Sequence, residues 1–322
     1  MTSSLPPEVR DVFERFITTE YVTVDARQQP IVWPVTPYYR QGGTTIDLST
    51  GIGYPKKALD AKRNPRVGLL FSDPTGSGVD GDIRVLVQGI AEVDDRDLVA
   101  NQERYDREAA VKLPITKEEQ PPRLLARFFK WYSERIYVKV RPERVFVWPS
   151  PEAPEPEVHD SHIEEVRSGH IEEPDQPHAS PSGGPIAWDE RIEELGRQYP
   201  TAVLAWVAPD GFPLAARVAA GADRDSRSVR IDSPPAGLPL MAGRACLTAH
   251  AHAPDFSWRV NFQVRGDLAS DEGGVWRLTP HKLVGGLEIP KEGQLATMRR
   301  GLRYTRRFSR RRKLALEQLS RD

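Results

Sequence analysis

Several shortages in the sequence limit what the protein can be. Its 322 residues include one cysteine, Cys246, which excludes an intramolecular disulfide and a multi-cysteine metal site. The formal net charge of -1 excludes a globally basic nucleic-acid binder. No apolar run approaches the roughly 20 residues that span a bilayer, and the opening MTSSLPPEVRDVFERF resembles neither a signal peptide nor a transit peptide. We therefore expect a cytoplasmic protein with no membrane partner and no specific nucleic-acid partner.

One stretch of biased composition divides the chain. Residues 150–187 are rich in proline, acidic and small residues, a composition typical of a linker. The sequence predicts a first domain at 1–149, this acidic linker, a second domain at 188–290, and a basic C-terminal helix or tail at 291–322. We call the two predicted domains the first unit and the second unit.

The two units repeat one order of elements. Each begins with a helical segment, PEVRDVFERFITTE and WDERIEELGRQY, and continues with strands separated by short turns. Pro30 and Pro213 fall at equivalent places, as do Gly89 and Gly266, and each unit closes with an apparent strand, Pro-centred turn and strand. Alternating strands with short turns close into small barrels. We predict a mainly β fold of two tandem barrels with flanking helices, the helices at 95–134 occurring in the first unit alone.

The stretch STGIGYPKKALDAKRNP indicates an anion site at the start of a helix. Gly51 and Gly53 allow the backbone to approach a ligand closely, and Pro55 suits a first helical turn. The free N–H groups and dipole of a helix start favour an anion. The side-chain donors that this stretch adds are Ser49, Thr50, Lys56 and Lys57. A phosphate clamp is favoured over the alternative, a solvated lysine pair on a surface helix.

With IRVLVQGIAEV after it, the same stretch resembles the flavin-binding split-barrel family of pyridoxamine 5'-phosphate oxidase, including its actinobacterial flavin- or deazaflavin-dependent relatives. The similarity covers most of residues 8–149 and the second unit only in outline. Lys56 and Lys57 match the family's basic pair before Asn-Pro. The resemblance implies tandem split barrels, the second one degenerate, with FMN or coenzyme F420 as the cofactor, FMN being slightly favoured, and NAD(P)H as an optional co-substrate.

The resemblance also assigns residues around the cofactor ring. The strand PIVWPVTPYY would lie beside the ring, which places Trp33, Val35 and Thr36 there. Arg84 stands where the family has a flavin-contacting glutamine. The prolines of this strand depart from the family pattern, and the family's Arg and Lys phosphate contacts on it have no counterpart here. The phosphate would therefore depend more strongly on Lys56 and Lys57.

The second unit has PPAGLPLMAGR where the first unit has the basic pair. We therefore expect one cofactor site per chain, with the second unit as partner wall in an intramolecular pseudo-dimer and homodimerisation as a further option. Candidates on that wall are Trp258, Arg259, Asn261 and Gln263. The alternative is a barrel strand with its polar face in water. His250, His252 and Asp255 suggest a metal or heme site only weakly, and satisfied polar positions are favoured, so no metal is predicted.

The predicted function is a flavin- or deazaflavin-dependent oxidoreductase that transfers hydride or electrons to or from an unidentified small organic substrate. No catalytic residue is assigned, and the nearest polar candidates for an acid or base are Tyr38, Tyr39 and Arg84. Two alternatives stay open: a non-catalytic module that stores or senses a flavin-type ligand, and a structural protein with degenerate sites.

Overall fold

Antiparallel β-structure dominates both units. The computed structural model describes residues 5–113, 130–150, 153–160, 180–233, 235, 237–286 and 308–317. Within these ranges every pairing between named strands is antiparallel. No helix in the described ranges combines the length and apolarity that crossing a membrane requires.

The described residues of the first unit form four helices and a curled eight-stranded sheet. Its elements are α1 (Pro7–Arg15), β1 (Thr19–Val24), β2 (Pro30–Val35), β3 (Pro37–Tyr39), β4 (Ile46–Gly51), α2 (Lys56–Arg63), β5 (Arg66–Phe71), β6 (Arg84–Asp94), α3 (Leu98–Lys112), α4 (Lys130–Ser133), β7 (Arg135–Trp148) and β8 (Glu157–Asp160). The strand β8 pairs with β7 and lies inside the predicted linker, so part of that segment is regular structure.

The second unit is a closed six-stranded barrel. Its elements are a 3-10 helix (Glu190–Glu194), β9 (Thr201–Val207), β10 (Pro213–Asp223), β11 (Ser228–Ile231), β12 (Gly243–His252), β13 (Arg259–Ser270) and β14 (Trp276–Gly285). The short 3-10 helix stands where the sequence predicted a longer helical segment. After both units, residues 308–317 form a further helix, α5.

The two units share one strand order. The barrel runs β10-β11-β14-β13-β12-β9, and the first sheet runs β2-β1-β5-β6-β7-β4-β3. The edge strands β2 and β3 of the first sheet are separated in the chain by Thr36 alone. With β2 and β3 taken as one bent strand, the first sheet has the same cyclic order as the barrel. The mainly β, two-barrel fold predicted from the sequence is confirmed, with the first barrel as a curled sheet and the second closed.

The two units have β-bulges at equivalent positions. The register between β6 and β7 shifts at Gly89, and that between β13 and β14 shifts at Gly266. A Cβ on Gly89 would stand 2.5 Å from the Arg141 carbonyl oxygen, and one on Gly266 would stand 1.9 Å from that of Thr279. Both positions therefore require glycine because the backbone of the neighbouring strand leaves no room for a side chain.

The predicted Pro-centred turns are wrong. Pro142 and Pro280 lie inside the continuous strands β7 and β14, directly opposite Gly89 and Gly266. Proline has no N–H to give to a ladder, and a bulge is a place in a sheet where a ladder hydrogen bond is already missing. The prolines that suggested a chain reversal in the sequence therefore mark a β-bulge within a continuous strand.

The units meet over a shared apolar cluster. Outward-facing residues of the first sheet, Val22, Val32, Leu70, Leu86 and Trp148, belong to the same buried cluster as the core of the second unit. Strand β1 is consequently buried on both faces, one toward its own sheet and one toward the barrel. Gln88 adds a buried hydrogen bond across the junction, from its Nε2 to the Pro213 carbonyl oxygen at 3.0 Å.

Candidate functional site

A large cleft lies along the junction of the two units, with a volume of about 1270 Å³. Its described walls are the end of β2 and the segment after it, the start of α2, the outer face of β12 to β14, and one face of α5. The cleft exceeds the roughly 300–1,000 Å³ of ordinary small-molecule sites. It therefore has room for a cofactor-sized molecule with a second small molecule beside it.

The cleft brings together most of the residues singled out in the sequence. Those that line it are Ser49, Thr50, Lys56, Lys57, Trp33, Val35 and Thr36. Arg84 is not among the lining residues, because it opens β6 opposite Trp148 at another part of the sheet. Of the acid or base candidates, Tyr38 lines the cleft, whereas the Tyr39 ring packs against Phe13 with centroids 5.6 Å apart.

The helix α2 begins and ends as its sequence predicts. Pro55 adopts helical dihedrals immediately before Lys56, and the helix stops at Asn64, which is extended because a proline follows it. Helix starts in general leave N–H groups without an acceptor inside the helix, and here the Ala58 N–H donates to the Pro55 carbonyl oxygen at 2.9 Å. Lys56 does not stand alone at this end, since its Nζ lies 3.0 Å from a carboxylate oxygen of Asp60 and 3.4 Å from one of Asp25.

Two features of the turn before α2 differ from their expected roles. The Thr50 hydroxyl donates to the Tyr54 carbonyl oxygen at 3.1 Å, so it stabilises the turn. A Cβ on Gly53 would lie 2.9 Å from the Trp131 carbonyl oxygen, so this glycine is needed for packing against α4 rather than for the approach of a ligand. The Gly53 N–H donates to that same oxygen at 2.7 Å.

Strand β13 supplies much of the opposite wall. Arg259, Asn261, Gln263 and Arg265 alternate along it and share its outer face, as period-two spacing requires. Arg259 and Asn261 line the cleft, and Trp258 and Gln263 do not. The Gln263 Nε2 instead donates to the Val32 carbonyl oxygen at 2.7 Å, which fastens β13 to β2.

The lining is strongly cationic although the chain as a whole is near neutral. The cationic side chains in it are Lys56, Lys57, Arg63, Arg135, Arg191, Arg259, Arg265, Lys282 and Arg311. Asp60 is the one carboxylate among the described lining residues. The sequence did not indicate four of these cations, Arg135, Arg191, Lys282 and Arg311, because they come from β7, the 3-10 helix, β14 and α5, which lie far apart in the chain.

The helix α5 completes the wall next to α2. The Phe308 ring stacks on Trp131 with centroids 4.9 Å apart and lies 4.2 Å from the Tyr54 ring centroid. Arg312 forms a two-point ion pair with Glu134 at 2.6 and 2.7 Å. This part of the basic C-terminal run therefore binds the first unit, whereas residues 161–179 of the acidic linker and residues 287–307 lie outside the described residues.

A buried polar network joins the units beside the cleft. Glu20, on β1, is fully buried and accepts from the Arg217 guanidinium at 2.8 Å. The other oxygen of Glu20 accepts from the Ser72 hydroxyl at 3.0 Å. The His250 Nε2 lies 2.7 Å from Glu20, so carboxylate, guanidinium and imidazole meet in one desolvated group. Because Glu20 and Arg217 belong to different units, the ion pair between them helps to hold the two units in their relative positions.

His252 is a second histidine at the edge of the cleft. The Thr18 hydroxyl lies 3.1 Å from its Nε2, and its Nδ1 lies 2.9 Å from the Ala253 carbonyl oxygen. These contacts fit the neutral tautomer with the proton on Nδ1, so that Nε2 accepts from Thr18. Burial lowers the pKa of His252, with the Asp73 carboxylate acting in the opposite direction.

Asp73, rather than Asp255, is the carboxylate beside these histidines, 3.6 Å from the His252 Nε2. Burial would raise the pKa of Asp73, but a hydrogen bond from Thr75 and the nearby His250 and Arg217 together lower it. Asp255 instead accepts from the Ser257 hydroxyl at 2.7 Å. Among the described residues no group of histidine, cysteine and carboxylate side chains has the arrangement of a metal site.

Cys246 is fully buried on β12, and burial raises the pKa of its thiol. It therefore behaves as a small core residue rather than as a nucleophile.

Comparison with other proteins gives matches among solved structures alone. No family model matches the chain, and no curated protein matches it. General stress protein 26 from Bacillus anthracis str. Sterne is 16% identical, with a TM-score of 0.32 over 48% of this chain and 96% of its own. A protein from Listeria innocua assigned as a pyridoxamine 5'-phosphate oxidase is 18% identical, with a TM-score of 0.31 over 44% of this chain and 97% of its own.

A structure named F420 reductase is 22% identical, with a TM-score of 0.32 over 44% of this chain and 98% of its own. The kinds of protein that the sequence of the first unit resembles are thus found again among solved structures. Each matches less than half of this chain in length.

Proposed function

We propose that the cleft binds one flavin-type cofactor, FMN or coenzyme F420, and that the protein is an oxidoreductase acting on a small organic molecule held beside it. The observation that carries the proposal is the composition of the cleft. A strand segment with few side-chain charges, Trp33 to Thr36, faces a basic helix start on one side and the cationic outer face of β13 and β14 on the other. A planar ring would lie against the strand segment, and an anionic tail attached to it would lie against the cationic walls.

The residues present fit such a group on two further grounds. The cationic lining attracts a phosphate or carboxylate tail, since its lysine and arginine side chains outnumber its one described carboxylate, Asp60. At the opposite wall, Arg259 and Asn261 line the cleft with polar side chains. A cofactor with both an anionic tail and polar ring atoms would satisfy both walls.

The roles of the chain's own residues follow from this placement. The first-turn N–H groups of α2 with Lys56 and Lys57 would hold the phosphate. Trp33, Val35 and Thr36 would support the ring, and α5 would exclude water from the side next to Tyr54. When bound, the cofactor supplies hydride or electron transfer, while the protein supplies binding, orientation and a dry pocket.

The two units together act in this proposal as an intramolecular pseudo-dimer. The second unit has no helix among the described residues between β11 and β12, where the first unit has α2. It therefore contributes a wall rather than a second clamp. We expect one bound cofactor per chain on this basis.

The test is a visible absorption spectrum of the purified protein after incubation with FMN or with F420, followed by the addition of NADPH under anaerobic conditions. A perturbed cofactor spectrum that bleaches with NADPH, or with reduced substrate candidates, is the expected result for an oxidoreductase. A perturbed spectrum that no reductant changes would favour storage or sensing. Unperturbed spectra for both cofactors would overturn the proposal.

A further inference from the structure

Two cations lie directly opposite each other on the wall that the second unit contributes to the cleft. Arg265 on β13 is paired in register with Lys282 on β14, and both side chains line the cleft. Directly opposed residues of an antiparallel pair point to the same face, with Cβ atoms about 4.5–5.5 Å apart, and like charges in that arrangement are destabilising. The pair therefore costs stability unless an anion lies against both side chains.

The described part of the chain does not supply that anion. Neither Arg265 nor Lys282 forms an ion pair with a carboxylate of the described residues. Asp267, two residues after Arg265 on β13, instead accepts from the Ser182 N–H at 2.7 Å and lies 2.9 Å from the His281 Nε2. The two positive charges are thus available to an anion that enters the cleft.

A buried amide holds Arg265 in an orientation suited to anion binding. Gln263 is fully buried, and its Nε2 donates to the Val32 carbonyl oxygen at 2.7 Å while its Oε1 accepts from the Arg265 Nε. The terminal nitrogens of Arg265 make no hydrogen bond to a described residue. Two neighbouring N–H donors of a guanidinium bind a carboxylate or a phosphate at two points. Because Val32 lies on β2, the first unit helps to position this donor of the second.

We propose that Arg265 and Lys282 form an anion subsite that binds the carboxylate or phosphate group of the co-substrate. The inference rests on the proposed function, in which α2 of the first unit holds the single phosphate of FMN. The cleft volume of about 1270 Å³ leaves room for a second small molecule beside the cofactor. The organic molecule that exchanges hydride or electrons with the cofactor is accordingly a small acid or a phosphate ester.

The experiment titrates inorganic phosphate and malonate, at constant ionic strength, into the full chain saturated with FMN and, in parallel, with F420. The cofactor occupies the clamp on α2, so the remaining anion binding reports on the second unit. Isothermal titration should show one saturable anion site. Arg265→Gln and Lys282→Gln should each weaken it roughly tenfold or more, the usual loss for a charge-assisted hydrogen bond.

Arg230→Gln is the matched control for these two substitutions. Arg230 is an exposed cation of the same barrel, it pairs with Asp232, and it does not line the cleft. Its replacement should leave the affinity for phosphate and malonate unchanged. A general effect of net charge on anion binding would instead weaken all three variants alike.

Stability separates a binding role of the pair from a structural one. Lys282→Glu places opposite charges on directly paired residues, so the ligand-free variant should unfold roughly 1–3 °C above the wild type at low salt. The same variant should lose its affinity for phosphate and malonate. A cation that served the fold would give the reverse result, with a lower unfolding temperature.

The outcomes distinguish this inference from the proposed function. Unchanged anion affinity of Arg265→Gln and Lys282→Gln, or a lowered unfolding temperature of Lys282→Glu, overturns the inference and leaves the proposed function standing. Loss of the anion site when the cofactor is bound also overturns it, because the pair would then hold the cofactor tail.

Failure of the wild type to bind FMN and F420 overturns the proposed function, and the assignment to a co-substrate with it. The Lys56→Ala, Lys57→Ala double variant, which lacks the clamp on α2, is then titrated with the same two anions. Binding that the further substitution Arg265→Gln removes would support the anion subsite by itself, and absence of binding would overturn both proposals.

Discussion

The two units have one strand order and two different segments at the same point of it. Between β4 and β5 the first unit has α2, which begins with Lys56 and Lys57 at the cleft. Between β11 and β12 the second unit has residues 232–242, whose described members include no helix. The barrel is therefore the constant part of the repeat, and the binding groups of the proposed site lie in a connection, as is common for functional residues.

The second unit contributes through a different surface. Its outer strands β13 and β14 carry Arg259, Asn261, Arg265 and Lys282 into the cleft. The same face fastens the units together through Gln263 and Val32. In the proposed function, the first unit supplies a clamp and the second a wall, and the interface between them is part of the site.

The interface gives the largest expected effect. Arg217→Ala leaves Glu20 fully buried without its cation, and removing one partner of a buried ion pair typically costs about 3–5 kcal/mol. Chemical denaturation should show a loss of that size. The double variant Glu20→Leu, Arg217→Met is the control and should lie much closer to the wild type. A loss below about 1 kcal/mol for Arg217→Ala would mean that the network does not hold the units together.

The bulge glycines test whether the repeat works in the same way in both units. Gly89→Ala and Gly266→Ala should each cost about 1–3 kcal/mol, because the new Cβ meets a backbone oxygen of the neighbouring strand. Gly266→Ala should be the worse of the two, since the approach there is closer.

Urea denaturation measures both, with Gly221→Ala as the control, where a Cβ would make an ordinary 3.5 Å contact with an Asp232 oxygen. Equal stability of the Gly221 and Gly266 variants would contradict the requirement for glycine at the bulge.

Substitution of the lysine pair tests whether α2 gives the first unit a binding function that the second unit lacks. Replacing Lys56 and Lys57 by alanine should weaken FMN or F420 binding roughly 10- to 100-fold, since charge-assisted hydrogen bonds contribute about 1.5–3 kcal/mol each and Lys56 is already shared with Asp60. Arg230→Ala is the matched control, because Arg230 is an exposed cation on β11, the counterpart of β4. Isothermal titration gives the affinities of the double variant and of the control. Equal affinities would mean that Lys56 and Lys57 are a solvated pair on a surface helix.

The smallest expected effect concerns pH. Burial lowers the pKa of His252 below the ordinary value of 6.5, so the unfolded chain binds more protons than the folded protein in the window just below 6.5. Stability should therefore fall as pH drops from 7.5 through 6.5 toward the lowered pKa. His252→Gln should reduce that fall, measured as the difference in unfolding free energy between the two proteins at each pH. A difference that does not change with pH would rule out this coupling.

Much of the fold could be predicted from the sequence because its signals are local. Gly89 and Gly266 marked equivalent positions of the repeat, and Asn64-Pro65 marked the end of α2. Pro142 and Pro280 led to a wrong prediction of turns, because a missing N–H fits a bulge as well as a turn.

The site was less predictable because it is assembled across the chain. The sequence showed Lys56 but gave no sign that Asp25 and Asp60 would pair with it, and it showed Asn261 without indicating that the amide would be left unsatisfied. Arg191 and Arg311 reach the cleft from segments outside the repeated strands. Long-range proximity of this kind has no periodicity, so no local pattern indicates it.

In the proposed function, two similar units build one site between them. Equilibrium dialysis of the 322-residue chain against FMN, and separately against F420, tests it most directly. One tight site per chain is expected for at least one of the two cofactors, with that site weakened both by the Lys56→Ala, Lys57→Ala double variant of the first unit and by Arg259→Ala of the second. Two tight sites per chain, or one site that the second-unit substitution leaves intact while the first-unit substitution abolishes it, would contradict a shared site.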